Sequence, residues 1–373
     1  MCEMISSVIV STSIRGRAAD ILFLLCSLVC AGSALAAEDF KLRFPMAGNL
    51  GSEIGAALSE PGWYGSTAIT AAKIDKVTGS DGKPLVAVET KTITTNPTTG
   101  APLPVAVNYT SQVAMDLRQT QTQASMVMAY MTEPDYAGGR LISTFTLPYM
   151  FRQERDVRLT GPVPTVSGPS PYVNGLVQSN LNSSYDAGLA ARAGNTSGVV
   201  QGWGDAEIAG SWVYRQADGL LVTGLTLALP TGKYSPLGST PNIGFGNFYT
   251  LRTGLALSYN ATPDWRLGAK VSLGFNTRNK DTNVRSGNFG GVDLAALYRT
   301  SFGSLGPHLL YVQQYQSDSI DKYGKFQDTS AGALFTALIK PLDASFNVSY
   351  MKTITSANAL AGSFLRVRVS KGF

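Results

Sequence analysis

The sequence predicts an all-β chain that closes into a transmembrane, antiparallel up-and-down β-barrel of about twelve strands. Three observations carry that prediction. Segments of roughly ten residues alternate between apolar and polar side chains, the period-two pattern of an extended strand. The connections between them alternate in length: 216–219, 260–264, 300–306 and 340–343 are short, while 230–248, 276–288, 317–328 and 354–362 are longer. Short periplasmic turns opposite long extracellular loops are how outer-membrane barrels are built. The third observation is which face carries charge. Arg, Lys and Asp share the face opposite Leu, Val and Trp. A soluble sandwich or lipocalin-like barrel encloses its apolar face, whereas enclosing the charged face leaves the apolar one to lipid.

Composition agrees. At 373 residues, with 44% hydrophobic and 15% charged residues, the chain is too apolar for disorder. No segment has the roughly 18 consecutive apolar residues that a membrane-spanning helix needs, so strands must make the crossing. Arg15 and Arg17, the apolar run 21–29 and Ala34-Leu35-Ala36 form the charged, apolar and small-residue parts of a secretory signal peptide over 1–36. Cys2, Cys26 and Cys30 all precede the cut, which leaves the mature chain without thiol or disulfide chemistry. Glu3, Asp20, Arg15 and Arg17 cancel, so the mature chain keeps the whole net charge of +5. Its arginines are spread singly through alternating strands, which points to a lined lumen and away from nucleic acid.

Taken in order, residues 37–60 are mixed and Gly-rich, a periplasmic N-terminal segment or a partial plug ahead of a barrel domain over 61–373. Pro61-Gly62-Trp63-Tyr64 opens the first strand, which runs to about Lys73. The Thr-, Pro- and Gly-rich stretch 74–104 reads as a long loop. Residues 105–131 form one long strand, with Val105, Val107, Tyr109, Val113, Met115 and Leu117 opposite Asn108, Thr110, Gln112, Asp116 and Arg118. Only as one strand does it keep the count even. The next strand covers 138–149. Residues 153–201, with four prolines, read as a polar loop holding a short helix within 172–191, and a hairpin there would raise the count to fourteen. From Gly202 the meander is regular up to Ser363–Phe373, where Leu365, Val367 and Val369 face out and Arg366, Arg368 and Ser370 face in. Lys371 departs from the pattern at an outward place.

Several short motifs stand in a telling order. These are Pro61-Gly62-Trp63-Tyr64, Gly138-Gly139-Arg140-Leu141, Leu147-Pro148, Gly202-Trp203-Gly204-Asp205, Leu229-Pro230-Thr231-Gly232-Lys233-Tyr234 and the loop 276–287. Together they resemble the outer-membrane barrel family named for the meta-pathway of phenol degradation. That resemblance implies a channel for passive uptake of small hydrophobic or aromatic compounds across a Gram-negative outer membrane. It implies no catalytic step and no cofactor. The last strand is similar to the closing strand of bacterial outer-membrane barrels. That similarity implies that Phe373 is an insertion signal for the barrel-assembly machinery, which joins outer-membrane lipid and the solute as a partner.

The inward charges are the candidate functional set: Asp116, Arg118, Asp205, Glu207, Arg252, Arg266, Lys270, Asp293, Arg299, Arg366 and Arg368. Either opposite charges cross-link the wall around a wet lumen, or the cationic excess selects anions or aromatic acids. Trp63, Trp203, Trp212, Tyr214, Tyr259 and Trp265 near strand ends suit interfacial girdles. The single histidine, His308, follows Pro307 near a short turn with no partner evident, so a turn histidine is expected rather than a general base. One histidine and no mature cysteine make no case for a transition-metal site. Asn279, Asp281, Asn283 and Asn288 lack EF-hand spacing and read as a solvated turn. Gly202-x-Gly204 precedes a strand, so it is no nucleotide fingerprint. The rival to a channel is a non-conducting barrel whose loops bind a partner.

Overall fold

Strand alternation and the glycine and proline turns between strands set the architecture. The computed structural model describes residues 40–44, 60–96, 101–133, 135–235, 241–319 and 324–373. The predicted signal peptide and its cysteines lie outside them. In chain order the elements are β1 (Gly62–Val77), β2 (Val86–Thr95), β3 (Pro102–Met131), β4 (Arg140–Thr160), β5 (Val166–Ser167) and helix α1 (Pro171–Thr196). There follow β6 (Gly198–Trp203), β7 (Glu207–Gln216), β8 (Gly219–Ala228), β9 (Thr250–Asn260), β10 (Trp265–Asn276) and β11 (Phe289–Thr300). The chain finishes with β12 (Gly303–Gln314), β13 (Gln327–Ile339), β14 (Ala344–Ala357) and β15 (Leu360–Gly372).

Twelve strands close into one antiparallel barrel. Around the wall the order is β1, β15, β14, β13, β12, β11, β10, β9, β8, β7, β4, β3 and back to β1. The closing seam pairs β1 with β15 from Tyr64↔Gly372 to Val77↔Leu360, and the Phe373 N–H donates to Trp63 O at 2.8 Å. The fourteen-strand alternative does not form. β2, β5 and β6 stand outside the ring, on the upper parts of β3 and β4.

β3 is 30 residues long, roughly 100 Å at the strand rise. Gln119–Met131 pair with β1 in the wall, while Pro102 and Val107–Ala114 pair with β2 beyond it. β4 likewise runs on to Thr160, past its expected end at Tyr149. The upper parts of these strands form a tower on the extracellular side, against which α1 packs through Val173, Val177, Leu189 and Ala193. Ser170 caps that helix through its side chain, and Pro171 occupies its first turn.

Three loop boundaries therefore differ from expectation. Stretch 74–104 contains β2, because the Val/Thr/Ile-rich alternation of 86–95 forms a strand between its flanking turns. Region 153–201 holds a helix of 26 residues instead of a short one. Stretch 354–362 is mostly strand, with only Asn358 and Ala359 left as the turn between β14 and β15; Asn358 lies in the left-handed region at φ 48°, a conformation asparagine tolerates.

The tower also reverses which face of β3 is polar. Near the periplasmic end, Met126, Met128 and Tyr130 point outward and are exposed, while Gln121, Gln123, Ser125 and Val127 point inward. Above the membrane the inward positions are Val107, Val113 and Leu117, all buried; Leu117 packs with residues of β1 and β4, and Val107 with residues of α1. There the outward positions carry Asp116 and Arg118. Lipid outside requires an apolar outer face, and water outside requires a polar one. On β10, exposed Trp265, Leu267 and Phe275 show the membrane band, with an aromatic at each end of a strand long enough to cross it tilted. Trp63 lies 5.1 Å from Tyr130 and Trp265 5.3 Å from Tyr298, ring centre to ring centre, forming part of the lower aromatic girdle.

This depth dependence predicts unequal costs for exposed substitutions. Leu225→Arg places a cation on a lipid-facing position that is 54% exposed, and it should lower unfolding stability by about 2–4 kcal/mol in lipid vesicles. Arg118→Leu in the tower should change it by less than about 0.5 kcal/mol. Denaturant titration checks both; equal effects would contradict the placement of the membrane boundary.

Candidate functional site

The site is built around Asp205, in the short connection between β6 and β7. Its Oδ1 accepts the Gly232 N–H at 2.8 Å and its Oδ2 the Phe245 N–H at 3.0 Å. Thr231 Oγ1 accepts the Ala206 N–H at 2.8 Å. Gly202-Trp203-Gly204-Asp205 and Pro230-Thr231-Gly232 are thereby folded onto one another. Glycine is required at 232, because a Cβ there would lie 2.8 Å from Gly244 Cα and 2.9 Å from Asp205 Oδ1.

The site is completed by the strap Phe40–Phe44, K-L-R-F in its last four residues. Its side chains divide between two sides. Lys41 Nζ donates to Asn242 O at 3.0 Å. Arg43 Nη2 and Nε donate to Asp205 Oδ2 at 2.8 and 3.1 Å. Arg43 Nη2 also reaches Gly246 O at 2.9 Å, and Nη1 donates to Phe248 O. The guanidinium lies 4.1 Å from the centre of the Phe248 ring, an added cation–π attraction. Leu42 and Phe44 pack the other way, on the cluster of Leu310, Val312 and Met351 from β12 and β14. The strap thus touches both the β9 side and the β12–β14 side of the interior. Arg43 is only 4% exposed, and a buried guanidinium is tolerated only when paired and hydrogen-bonded.

Beneath the strap is a cavity of about 550 Å³. Leu42, Arg43 and Phe44 form part of its lining. Gln121, Gln123, Thr144, Thr146 and Ser272 supply polar wall, and Val127, Leu255 and Phe245 apolar wall. At the periplasmic end, inward-facing Tyr64, Met131, Ile142, Val213 and Leu220 pack together. The chamber therefore has an ion-paired roof and an apolar constriction at its base.

Six of the eleven predicted charges line this chamber: Asp205, Glu207, Arg252, Lys270, Arg366 and Arg368. Arg252 Nη2 meets Glu207 Oε2 at 2.5 Å, and its Nη1 donates to Arg43 O at 2.8 Å. Arg266 and Arg299 sit at the periplasmic ends of β10 and β11, with Arg266 Nε donating to Asn260 Oδ1 at 3.0 Å. Asp116 and Arg118 must be corrected. They point into water from the tower, 3.9 Å apart, because the apolar face of β3 turns inward above the membrane.

His308 is corrected too. It is buried in the wall, not placed in a turn, and its Nε2 lies 2.5 Å from Asp293 Oδ1. Ser349 Oγ lies 3.4 Å from its Nδ1. The three residues come from β11, β12 and β14, are all nearly fully buried, and lie outside the chamber lining. They bolt strands together, the role buried polar groups take when mutually satisfied. Asn279 is likewise buried, accepting the Asp281 N–H at 3.0 Å, so the 276–288 loop is anchored rather than solvated. Sequence reasoning missed Arg43. Its only signal was the alternation of Lys41 and Arg43 with Leu42 and Phe44.

The chain matches the family described as "Putative MetA-pathway of phenol degradation" over residues 110–369. In sequence, no curated protein matches. Among solved structures, the COG4313 outer membrane channel from Pseudomonas putida F1 is similar at 14% identity and a TM-score of 0.59, with 88% of this chain and 100% of that one covered. The beta domain of the Bordetella autotransporter BrkA gives 13% identity and a TM-score of 0.42 over 83% of this chain and 99% of that one. A Pseudomonas aeruginosa FadL homologue gives 10% and 0.39 over 92% and 99%. At 14% identity the likeness to the COG4313 channel is one of fold.

Removing Asp205 tests the roof. Asp205→Ala leaves Arg43 buried without its counter-charge, a loss of about 3–5 kcal/mol. Hydrogen exchange of the peptide covering 41–44 in detergent micelles should then accelerate at least about 100-fold. Unchanged exchange would show that the strap is held by something else.

Proposed function

The chain belongs to the MetA-pathway phenol-degradation family, and from that membership we propose that it is an outer-membrane channel for passive uptake of small hydrophobic or aromatic compounds. The observation that carries the reading is the chamber. A cavity of about 550 Å³ with mixed apolar and polar walls is of the size that holds a small ligand. A twelve-strand barrel whose interior is partly filled by side chains and a strap is no open porin. In this reading residues 1–36 are the cleaved export signal and Phe40–Phe44 belong to a plug. Phe373 is the mark read by the assembly machinery.

The tower favours a second reading, a surface-interaction barrel. It raises α1, with Tyr172 widely exposed, beyond the wall. Under that reading the barrel passes no solute and conducts no current.

Liposome swelling separates the two. Proteoliposomes should admit phenol and benzyl alcohol several-fold faster than a pentose sugar of similar mass. With rates taken relative to protein-free liposomes, equal increments for all three would indicate an unselective pore, and no increment for any of them would remove the channel reading.

A further inference from the structure

The charges lining the chamber are arranged by depth. Five cations (Arg43, Arg252, Lys270, Arg366 and Arg368) face two carboxylates, Asp205 and Glu207. Both carboxylates lie at the extracellular end and are engaged, by Arg43 at 2.8 Å and by Arg252 at 2.5 Å. Farther in, the lining charges are all positive. Lys270 pairs with Ala256, four residues nearer the periplasm than Arg252 on the neighbouring strand, which is roughly 13 Å along the chain. Arg366 and Arg368 project from β15, five strands from β10 in a ring of twelve and so nearly opposite. At the periplasmic mouth Arg215, Arg266 and Arg299 add cations near the ends of β7, β10 and β11. The buried carboxylate Asp293, outside the chamber lining, stands directly across from Lys270 on β11 and is engaged by His308 Nε2 at 2.5 Å.

A second observation concerns Arg252 itself. It is 6% exposed, and its Nε is buried without a hydrogen-bond partner among the described residues, although Nη1 and Nη2 are both used. A buried donor left unmade is unfavourable, and an oxygen acceptor from a ligand would satisfy it. Val127, Leu255, Phe44 and Phe245 offer apolar contact in the same chamber.

We propose that the chamber contains a carboxylate subsite for small aromatic or other hydrophobic acids, with Arg252 Nε as its outer contact. Lys270, Arg366 and Arg368 are the successive contacts toward the periplasm. The ring of such a solute lies on the apolar wall, while its carboxylate moves along the cations, each a stabilising field in a water-poor passage. This proposal rests on the channel reading for its transport meaning, but the binding it names stands on the lining residues.

The test compares benzoate with benzyl alcohol, which share a ring and differ in charge, by equilibrium titration of the detergent-solubilised protein. Benzoate should bind at least about 10-fold more tightly, and Lys270→Gln with Arg368→Gln should remove most of that preference. Raised salt should weaken benzoate binding while leaving benzyl alcohol unaffected, a readout that needs no variant to assemble. Equal binding of the two probes, a preference that survives the double substitution, or a preference indifferent to salt would each overturn the subsite. The protein-dependent part of benzyl alcohol flux, in excess of that into protein-free liposomes, is read separately. Its absence beside retained benzoate preference removes the channel reading and leaves the subsite standing.

Discussion

A guanidinium buried inside a barrel must be surrounded by acceptors, and this requirement organises the extracellular end of the molecule. Arg43 finds a carboxylate, backbone carbonyls and an aromatic face only because three separate stretches of chain converge there. Asp205 comes from the connection before β7, Gly246 and Phe248 from the connection before β9, and Arg43 from the strap. Asp205 is in turn fixed by backbone N–H groups of residues 232 and 245. Loss of either charge would leave the other stranded, so the arrangement is mutually dependent. The strap, the roof of the chamber and the long connections above β8 are therefore parts of one assembly.

The same logic of solvent decides the barrel wall. Period-two alternation identifies the strands without saying which face is enclosed. From Gly202 onward the outside is lipid, and inward charge with outward leucine reads directly from residues such as Arg252 beside Leu251 and Arg366 beside Leu365. On β3 the identical alternation passes out of the membrane into water. Val113 and Leu117 then turn inward while Asp116 and Arg118 turn outward. A sequence rule that assumes one outside solvent along the whole strand assigns these positions to the wrong face. The length of β3 was legible from strand parity, and the change of medium along it was not.

The candidate site was legible to a similar degree. Charges in regular mid-wall strands, including Lys270, Arg366 and Arg368, could be placed because their neighbours alternate without interruption. Contacts that depend on long-range closure could not. His308 and Asp293 are fifteen residues apart on antiparallel neighbours, and their meeting requires the register of β11 on β12. Arg43 and Asp205 are 162 residues apart, and no local pattern links them. The motifs around Gly202 and Gly232 carried more information than their turn chemistry suggested, since together they form the socket for the strap.

That the strap paired to Asp205 roofs the chamber is the central claim, and single-channel recording in planar bilayers addresses it most directly. The variant to compare with wild type carries Arg43→Ala and Asp205→Ala together, so that neither charge is left stranded. Wild-type barrels should show small, intermittent conductance, and the double variant a steady conductance several-fold larger. Indistinguishable traces from the two proteins would contradict the account.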